Sequence, residues 1–237
     1  MKFMIEARAA FDFDIPAQDF GYTAIEAALF HNWRCGAKVD SVLLCRESSI
    51  SAEMLQKDIV PVGSVEFCMR WFAAMGVIPH PLNIPVSIQH LVRRKIITTT
   101  TLENTGTLYY GKDMDVIKAS RNGVYREYHD KTPMIFSELV PAQSEWRLFV
   151  LNRMIVGIKN YAGDPLVVPD FQYCQTVADQ YGKENPAFTL DVMIREDRQT
   201  DILELHDFFA CGLYGFEDLP AIRQMLIRSC RHVLNKC

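Results

Sequence analysis

The chain has 237 residues, of which 49% are hydrophobic and 23% charged, and its formal net charge is −4. This composition is typical of soluble globular proteins with one or two domains. The acidic balance gives no general attraction for nucleic acid or anionic lipid, so neither is expected as a partner. No stretch approaches the ~20 apolar residues that span a bilayer, and the N-terminus lacks the apolar segment of a secretory signal, so we expect a cytoplasmic protein.

The cysteines and histidines do not form a recognisable metal or redox motif. The seven cysteines include no C-x-x-C pair, and the six histidines are equally dispersed. A zinc site needs clustered soft ligands, so we interpret the cysteines as reduced cytosolic thiols. The phosphate-binding patterns GxxxxGK[ST] and GxGxxG are also absent from the sequence.

The first third of the chain alternates predicted helices and strands. Apolar residues at helical spacing indicate helices, and short apolar runs bounded by turn residues indicate buried strands. Such alternation favours an α/β layer. In chain order, the patterns predict a helix over residues 23–33, a strand over 39–45, a strand over 58–64 and a helix over 65–76.

A proline-rich segment separates this region from the rest of the chain. Residues 78–85 contain three prolines, which fit neither a helix nor a central strand and are typical of a connector. We therefore predict a small α/β domain of residues 1–85 and a larger domain of residues 86–237.

The larger domain is rich in predicted strands. Tight turns are expected at Asn152-Arg153 and Asp197-Arg198, so the strands on either side of each turn form antiparallel hairpins. This pattern is typical of an α+β fold. The patterns predict helices over residues 87–94, 174–185 and 219–234, and strands over residues 95–102, 115–119, 134–140, 145–152, 154–162, 187–197 and 199–208.

Four features follow one another in this domain: a strand lysine at Lys118, a strand that ends in SELV, the hairpin EWRLFVLNRMIVGIKNY and the hairpin LDVMIREDRQTDILELH. Each feature alone is more typical of exposed surface charge than of a functional site. Their order resembles the ATP-grasp superfamily. The resemblance covers roughly residues 85–234 and implies two α+β subdomains whose antiparallel sheets hold ATP, preceded by a small α/β pre-ATP-grasp domain.

The segment SELVPAQSEWRLFV carries the most specific part of the resemblance. In the family, a Glu and the following apolar pair form a hinge that binds adenine through backbone groups, and Glu138, Leu139 and Val140 match it. An acid seven positions later binds the ribose hydroxyls in the family, and Glu145 stands at that position. The resemblance therefore implies that these residues hold the nucleoside.

The resemblance also implies basic residues that contact phosphate. Arg147 matches the arginine of the family's E/D-x-R strand, whose forked guanidinium contacts phosphate or the acyl-phosphate intermediate. Lys118 resembles the lysine of the V-x-K-P strand, although Ala119 replaces the proline. Lys95 lies where the family supplies a second basic residue, next to two arginines that could serve instead, and Lys159 could reach the same space.

Three residues match the magnesium ligands of the family. Asp191 and Glu204 correspond to acids on neighbouring strands that bridge the phosphates through Mg²⁺, which prefers oxygen ligands. The family pattern continues E-x-N, but here the third position holds His206. Imidazole is a poorer magnesium ligand than an amide oxygen, so His206 either completes the site differently or orients a water.

Further segments resemble a small clade of ATP-grasp proteins from phages and bacteria. The run FACGLYGF follows the second acid, and VPVGSVEF and PLNIP precede the predicted grasp domain. The resemblance implies an ATP- and Mg²⁺-dependent ligase that joins a small-molecule or peptide carboxylate to an amine or a thiol through an acyl phosphate. The alternatives are a kinase-like ATP-grasp enzyme, a non-catalytic nucleotide-binding protein and an α+β interaction domain.

Overall fold

The computed structural model describes residues 1–10 and 13–236, which form three four-stranded sheets and four α-helices. This mixture of antiparallel sheets and helices confirms the predicted α+β class. The strands are β1 (Lys2–Ala10), β2 (Phe13–Pro16), β3 (Ser41–Cys45), β4 (Ile59–Val62), β5 (Ile96–Leu102), β6 (Tyr109–Asp113), β7 (Gly123–Tyr125), β8 (Tyr128–Glu138), β9 (Ala142–Leu151), β10 (Met154–Gly163), β11 (Ala187–Arg195) and β12 (Thr200–Asp207). The helices are α1 (Asp19–Cys35), α2 (Val65–Ala74), α3 (Phe171–Tyr181) and α4 (Leu219–Asn235).

The first sheet is built by the N-terminal segment. β1 pairs in parallel with β3 and β4, and its second half pairs antiparallel with β2. β4 is buried along its whole length, as is usual for a parallel strand that is covered on both faces. α2 begins after Ser64, whose hydroxyl accepts a hydrogen bond from the N–H of Phe67 at 3.1 Å. The predicted alternation of helices and strands is confirmed here.

α4 packs against this N-terminal segment although it lies at the other end of the chain. Ile222 and Leu226 share one hydrophobic core with Phe3 of β1. Arg223 forms a buried bidentate ion pair with Asp40, with Nε–Oδ2 and Nη2–Oδ1 distances of 2.5 and 2.8 Å. Residues 1–85 therefore do not build their core alone, and the domain boundary at residue 85 stays a prediction.

His232 of α4 should make stability depend on pH. Burial, reinforced by the charge of Lys236, lowers the pKa of His232 to about 4 from its ordinary 6.5. Between these values the unfolded chain binds the proton more tightly, so the free energy of unfolding falls as the pH drops through this window. We expect His232→Gln to reduce the dependence of the free energy of unfolding on pH, as measured by urea unfolding at a series of pH values. His129→Gln changes an exposed residue and should leave this pH dependence unchanged. Equal slopes in wild type and His232→Gln would contradict this prediction.

The middle and C-terminal sheets are wholly antiparallel, with strand orders β5-β8-β6-β7 and β10-β9-β11-β12. α3 covers one face of the C-terminal sheet, where Val177 packs with Leu148 and Leu190 in one core. Because side chains alternate along a strand, neighbouring residues such as Arg147 and Asp191 lie on the opposite face. That face is free to carry polar groups.

Two irregularities shape the C-terminal sheet. Asn152 and Arg153 have positive φ angles of 51° and 69°, so the predicted tight hairpin between β9 and β10 is confirmed. On β12, Ile202 pairs with Val192 while Glu204 pairs with Asp191, which leaves Leu203 as one extra residue, a β-bulge.

The predicted strand over residues 115–119 is wrong. The carboxylate of Asp113 accepts hydrogen bonds from the N–H groups of Asp115 and Val116 at 2.7 and 2.9 Å and pairs with Arg121. These contacts fold the segment into turns, and Lys118 has a positive φ of 54°. The lysine nearest to this segment that lies in a strand is Lys112, on β6.

Two predicted helices differ from the observed ones in type or extent. The predicted helix over residues 87–94 is a 3-10 helix over Val86–Leu91. α3 starts three residues earlier than predicted and ends at Tyr181, because Asp170 caps it by accepting from two backbone N–H groups. Among the residues that the structure describes, no helix is long and apolar enough to cross a membrane.

Candidate active site

Three cavities that share lining residues run between the middle sheet, the C-terminal sheet and the N-terminal segment. The hinge cavity, of about 310 Å³, is lined by residues 137–140 with Glu145 and Tyr161. The central cavity, of about 250 Å³, is lined by Lys112, Glu204, His206 and the linker residues 80–83. The loop cavity, of about 830 Å³, is lined by residues 18–20 and 210–217.

The cavities form one path because neighbouring cavities share side chains. Lys112 and Glu204 line both the hinge and the central cavity. Lys118 and His206 line both the central and the loop cavity. An extended ligand that starts at the hinge would therefore pass Glu204 before it reaches the loop cavity.

A row of four charged residues crosses the C-terminal sheet. Lys159 on β10 lies opposite Arg147 on β9, which lies opposite Asp191 on β11, which lies opposite Glu204 on β12. Lys159, at the end of the row, is not among the residues that line the three cavities. The strand register therefore brings residues that are far apart in sequence onto one face.

Asp191, Glu204 and His206 form a compact group, named here the acid group. One potential ligand atom from each residue lies within 4.8 Å of the others. The Nε2 atom of His206 is 3.2 Å from Oε1 of Glu204 and 3.8 Å from Oδ2 of Asp191. Glu204 lies opposite Asp191 directly after the bulge at Leu203, and His206 follows two residues later on the same face. The structure thus brings together the three residues predicted from the sequence.

Each carboxylate of the acid group is paired with a cation. Arg147 binds Asp191 through two parallel hydrogen bonds, Nε–Oδ1 at 2.8 Å and Nη2–Oδ2 at 2.6 Å. Both side chains of this pair are more than nine-tenths buried. The ammonium of Lys112 contacts Oε2 of Glu204. The two carboxylates are therefore matched by two cationic side chains, Arg147 and Lys112.

These contacts set the protonation states. Burial alone would raise the pKa of Glu204, but the hydrogen bond and charge of His206 and the ammonium of Lys112 outweigh it and lower that pKa. Burial disfavours the charge on Arg147, yet its bonds to Asp191 raise its pKa well above the ordinary value. Glu204 is thus an anion and Arg147 a cation at neutral pH.

An aromatic pair covers Arg147. The rings of Tyr161 and Tyr214 stack with centroids 5.1 Å apart, and the guanidinium of Arg147 lies 5.1 Å from the ring of Tyr214. A third hydrogen bond joins Nη1 of Arg147 to the carbonyl of Gly212 at 3.1 Å. The loop of residues 208–218 is therefore tied to the charged row at the wall between the hinge and loop cavities.

The predicted hinge residues line the hinge cavity together with the predicted ribose-binding acid. Glu138, Leu139, Val140 and Glu145 all contribute to its wall. The N–H of Leu139 donates to the carbonyl of Leu108 at 2.9 Å, whereas the N–H of Val140 has no partner among the described residues. One backbone donor is thus available in the hinge.

Lys95 does not line the hinge cavity, because its neighbour Arg94 occupies that position. Arg94 is buried and bonds to Asp201 at 3.2 Å and to the carbonyls of Ile202 and Leu203 at the bulge. The side chain of Lys95 is exposed. Of the adjacent basic residues that the sequence left open, Arg94 therefore lines the hinge cavity, and the binding role of Lys95 stays a prediction.

Lys112 is the most important residue that the sequence analysis missed. It follows Tyr109, Tyr110 and Gly111, and this aromatic run before an acid is a strand signal that could have identified it. Lys118 still reaches the site from its turn and lines the central and loop cavities. Two lysines, one from a strand and one from a turn, therefore face the path.

The comparisons with known proteins agree on the fold. The family model described as ATP-grasp domain, R2K clade family 2, matches residues 70–223. Similar solved structures include a RimK domain protein ATP-grasp from Sphaerobacter thermophilus DSM 20745 (12% identity, 96% of this chain and 98% of that chain, TM-score 0.55). D-cycloserine synthetase DcsG is also similar (8% identity, 97% of this chain and 99% of that chain, TM-score 0.56). So is D-alanine--D-alanine ligase from Bacillus anthracis (9% identity, 100% of this chain and 99% of that chain, TM-score 0.52). No curated protein sequence matches the chain.

Proposed function

Because this chain belongs to the R2K clade of ATP-grasp domain proteins, we propose that it is an ATP- and Mg²⁺-dependent ligase that joins a carboxylate to an amine, or to a thiol, through an acyl phosphate. One observation carries the proposal. The acid group, with ligand atoms within 4.8 Å, lies where the path from the hinge cavity enters the central cavity. A triphosphate that extends from the hinge would reach the acid group with its terminal phosphates.

The hinge cavity supports binding of the nucleoside. The free N–H of Val140 can donate to a ring nitrogen of adenine, and Leu139 and Val140 contribute apolar surface to the same wall. The carboxylate of Glu145 can accept hydrogen bonds from the ribose hydroxyls. We assign Glu138, Leu139 and Val140 to adenine and Glu145 to ribose.

The chemistry of the acid group fits a divalent cation. Asp191 and Glu204 supply carboxylate oxygens, which magnesium prefers, and His206 supplies a nitrogen, which also suits manganese and other transition metals. When bound there, Mg²⁺ would neutralise phosphate charge and polarise the terminal phosphoryl group. Since Arg147 and Lys112 already pair with the two acids, a cation that binds together with the polyphosphate would add less net charge to the site than either would alone.

The cations around the path suit the phosphates. Bonds to Asp191 and Gly212 use three of the guanidinium N–H groups of Arg147, and a guanidinium has five, so two remain for a ligand. Lys112 and Lys118 line the central cavity together with Glu204 and His206. We assign Arg147 to the acyl phosphate and the two lysines to the ATP phosphates. We place Lys95 and Lys159 at the periphery of the nucleotide site.

The loop cavity supports binding of the two substrates that are joined. Gln18, Asp19 and Phe20 of the N-terminal segment line it together with Arg147. Residues 1–85 would therefore act as the pre-ATP-grasp domain that completes the acceptor site, and residues 86–237 as the ATP-grasp domain. A volume of about 830 Å³ accommodates small molecules as well as the end of a peptide.

The proposed reaction has two steps, which these residues would promote by position and charge. A carboxylate oxygen of the first substrate attacks the γ-phosphorus, and ADP leaves. Arg147 holds the acyl phosphate while the second substrate attacks its carbonyl carbon, loses a proton and expels inorganic phosphate. This chemistry needs no covalent enzyme intermediate, so the chain's contribution is orientation and electrostatic stabilisation.

The proposal is tested by thermal denaturation and phosphate release on the wild-type protein. ATP with Mg²⁺ should raise the melting temperature, and ATP without Mg²⁺ should raise it less. Pools of amino acids, small acids and peptides, each combined with amines, should include at least one that releases phosphate and yields a coupled product by mass spectrometry. Absence of any effect of ATP on melting would contradict the proposal.

A second candidate is a nucleotide-binding protein without turnover. It is favoured by the acid group itself, because Arg147 and Lys112 already occupy both carboxylates and His206 stands where the family has an asparagine. ATP-dependent stabilisation with no phosphate release in any pool would favour this candidate over the ligase.

A further inference from the structure

Thr189 on β11 carries a buried hydroxyl group that the fold does not use. Its side chain is fully buried, and its Oγ1 atom has no hydrogen-bond partner among the residues that the structure describes. Buried polar side-chain atoms nearly always have a partner, because leaving one unpaired is costly. The hydroxyl of Thr189 therefore calls for a group that it serves.

The strand register places Thr189 beside the acid group. Thr189 pairs with His206 on β12, and two residues further along β11 Asp191 pairs with Glu204. Residues two positions apart on a strand share a face, so Thr189 faces the same side of the sheet as Asp191. On its other side Thr189 pairs with Phe149 of β9, whose ring has no conventional hydrogen-bonding group. His206 is thus the polar side chain directly opposite the hydroxyl.

His206 has one ring nitrogen that remains for such a contact. Nε2 faces the carboxylates, at 3.2 Å from Oε1 of Glu204 and 3.8 Å from Oδ2 of Asp191, and Nδ1 forms no hydrogen bond within the described part of the chain. When a histidine binds a metal through one nitrogen, the other carries a proton and almost always donates it to an acceptor that fixes the ring. If Nε2 binds a cation, the ring therefore needs an acceptor for Nδ1–H.

We propose that Thr189 is a positioning residue of the metal site, an inference that rests on the proposed function. Its hydroxyl oxygen accepts from Nδ1–H of His206 when Nε2 binds the cation. Directly opposite residues of an antiparallel pair have Cβ atoms about 4.5–5.5 Å apart. Oγ1 is one bond from its Cβ and Nδ1 is two bonds from its own, so side-chain rotation brings these atoms within hydrogen-bond distance. Thr189 does not line the hinge, central or loop cavity, so it acts through His206.

Metal affinity tests this role, with Mn²⁺ as the probe. The measured quantity is the Mn²⁺ concentration that gives half of the ATP-dependent rise in melting temperature. Thr189→Val keeps the shape of the side chain and removes the hydroxyl, so it should raise this concentration at least tenfold. Thr189→Ser keeps the hydroxyl and should restore the wild-type value. Because the hydroxyl is unpaired without metal, metal-free Thr189→Val should be at least as stable to urea as wild type, which excludes a folding defect.

A double-mutant cycle shows whether Thr189 acts through His206. In a His206→Ala background the two carboxylates and the ATP phosphates remain to hold Mn²⁺, and Thr189→Val should leave the Mn²⁺ midpoint unchanged. A merely structural role of Thr189 would shift the midpoint equally in both backgrounds. Equal shifts, or no shift in the wild-type background, would overturn the inference.

Nuclear magnetic resonance with Zn²⁺ and without ATP separates this inference from the ligase proposal. A hydrogen-bonded Nδ1–H of His206 should exchange slowly with water and be observed in wild type and Thr189→Ser, but not in Thr189→Val. If this signal behaves as expected while ATP has no effect on melting, the ligase proposal fails and the role of Thr189 stands. If ATP binds but wild type and Thr189→Val give the same signal, the role of Thr189 fails alone.

Discussion

Glu204→Gln should reduce ATP-dependent phosphate release by at least about 100-fold, because an amide removes the charge of one carboxylate of the proposed metal site. The same change should abolish the part of the ATP-induced stabilisation that requires Mg²⁺. The fold should persist, since the Glu204 side chain is 26% exposed and its partner Lys112 is 22% exposed. Phosphate release in an active substrate pool and melting temperature with and without Mg²⁺ measure the two effects.

His206→Asn is the control for this prediction. It replaces the nitrogen ligand with the amide oxygen that the family pattern contains, and oxygen suits Mg²⁺ better than imidazole does. We therefore expect the dependence on Mg²⁺ to persist or to strengthen in this variant. If Glu204→Gln kept the dependence that wild type shows, the assignment of the acid group to the metal would be wrong.

Arg147→Met should destabilise the protein by about 3–5 kcal/mol, because it leaves Asp191 buried without its partner. Asp191 is 2% exposed, and both of its oxygens accept from Arg147. Urea unfolding at neutral pH measures the loss. Arg147→Lys should recover only part of it, since an ammonium cannot form the two parallel bonds.

Two comparisons show whether the loss of stability in Arg147→Met comes from burial of the unpaired charge. One breaks an exposed ion pair, and the other removes both members of the buried pair. Arg195 pairs with Asp197 at 3.2 Å, but these side chains are 24% and 46% exposed, so Arg195→Met should cost about 0.5 kcal/mol or less. Arg147→Met combined with Asp191→Leu should recover much of the stability without restoring activity. Equal losses in Arg147→Met and Arg195→Met would contradict the role of burial.

The sequence predicted best where a pattern is local. Glu138, Leu139 and Val140, which the sequence predicts as a hinge, stand at the end of a β-branched and aromatic strand, and they line one cavity with Glu145 of the next strand. Strand alternation and a two-residue turn were enough to predict the hairpin of β9 and β10. These elements depend on short-range preferences, which a sequence displays directly.

The sequence predicted least well where the outcome depends on contacts across the fold. Lys118 matched a lysine pattern, but Asp113 and Arg121 turn that segment away from the sheet. The choice between Arg94 and Lys95 depends on the bulge carbonyls that only Arg94 reaches. Such choices are made by tertiary partners far along the chain, so local propensity does not decide them.

The pairing of Arg147 with Asp191 could not be predicted from either segment alone. Both residues were predicted as ligands of phosphate or metal, yet in the structure they bind each other across two strands. Their contact follows from the register of β9 against β11, and a shift of one residue would turn one of them to the other face.

The bulge at Leu203 divides β12 into two halves that keep different registers. Asp201, in the first half, is held by Arg94, whereas Glu204 begins the second half opposite Asp191. A chain shortened by Leu203 alone would pair continuously and would still place Glu204 opposite Asp191. The extra residue is thus dispensable for the alignment of the acids, and its loss would remove a carbonyl that holds Arg94 and a residue that lines the hinge cavity. Loss of a residue at this point would therefore change the wall of the hinge cavity while the acid group keeps its alignment.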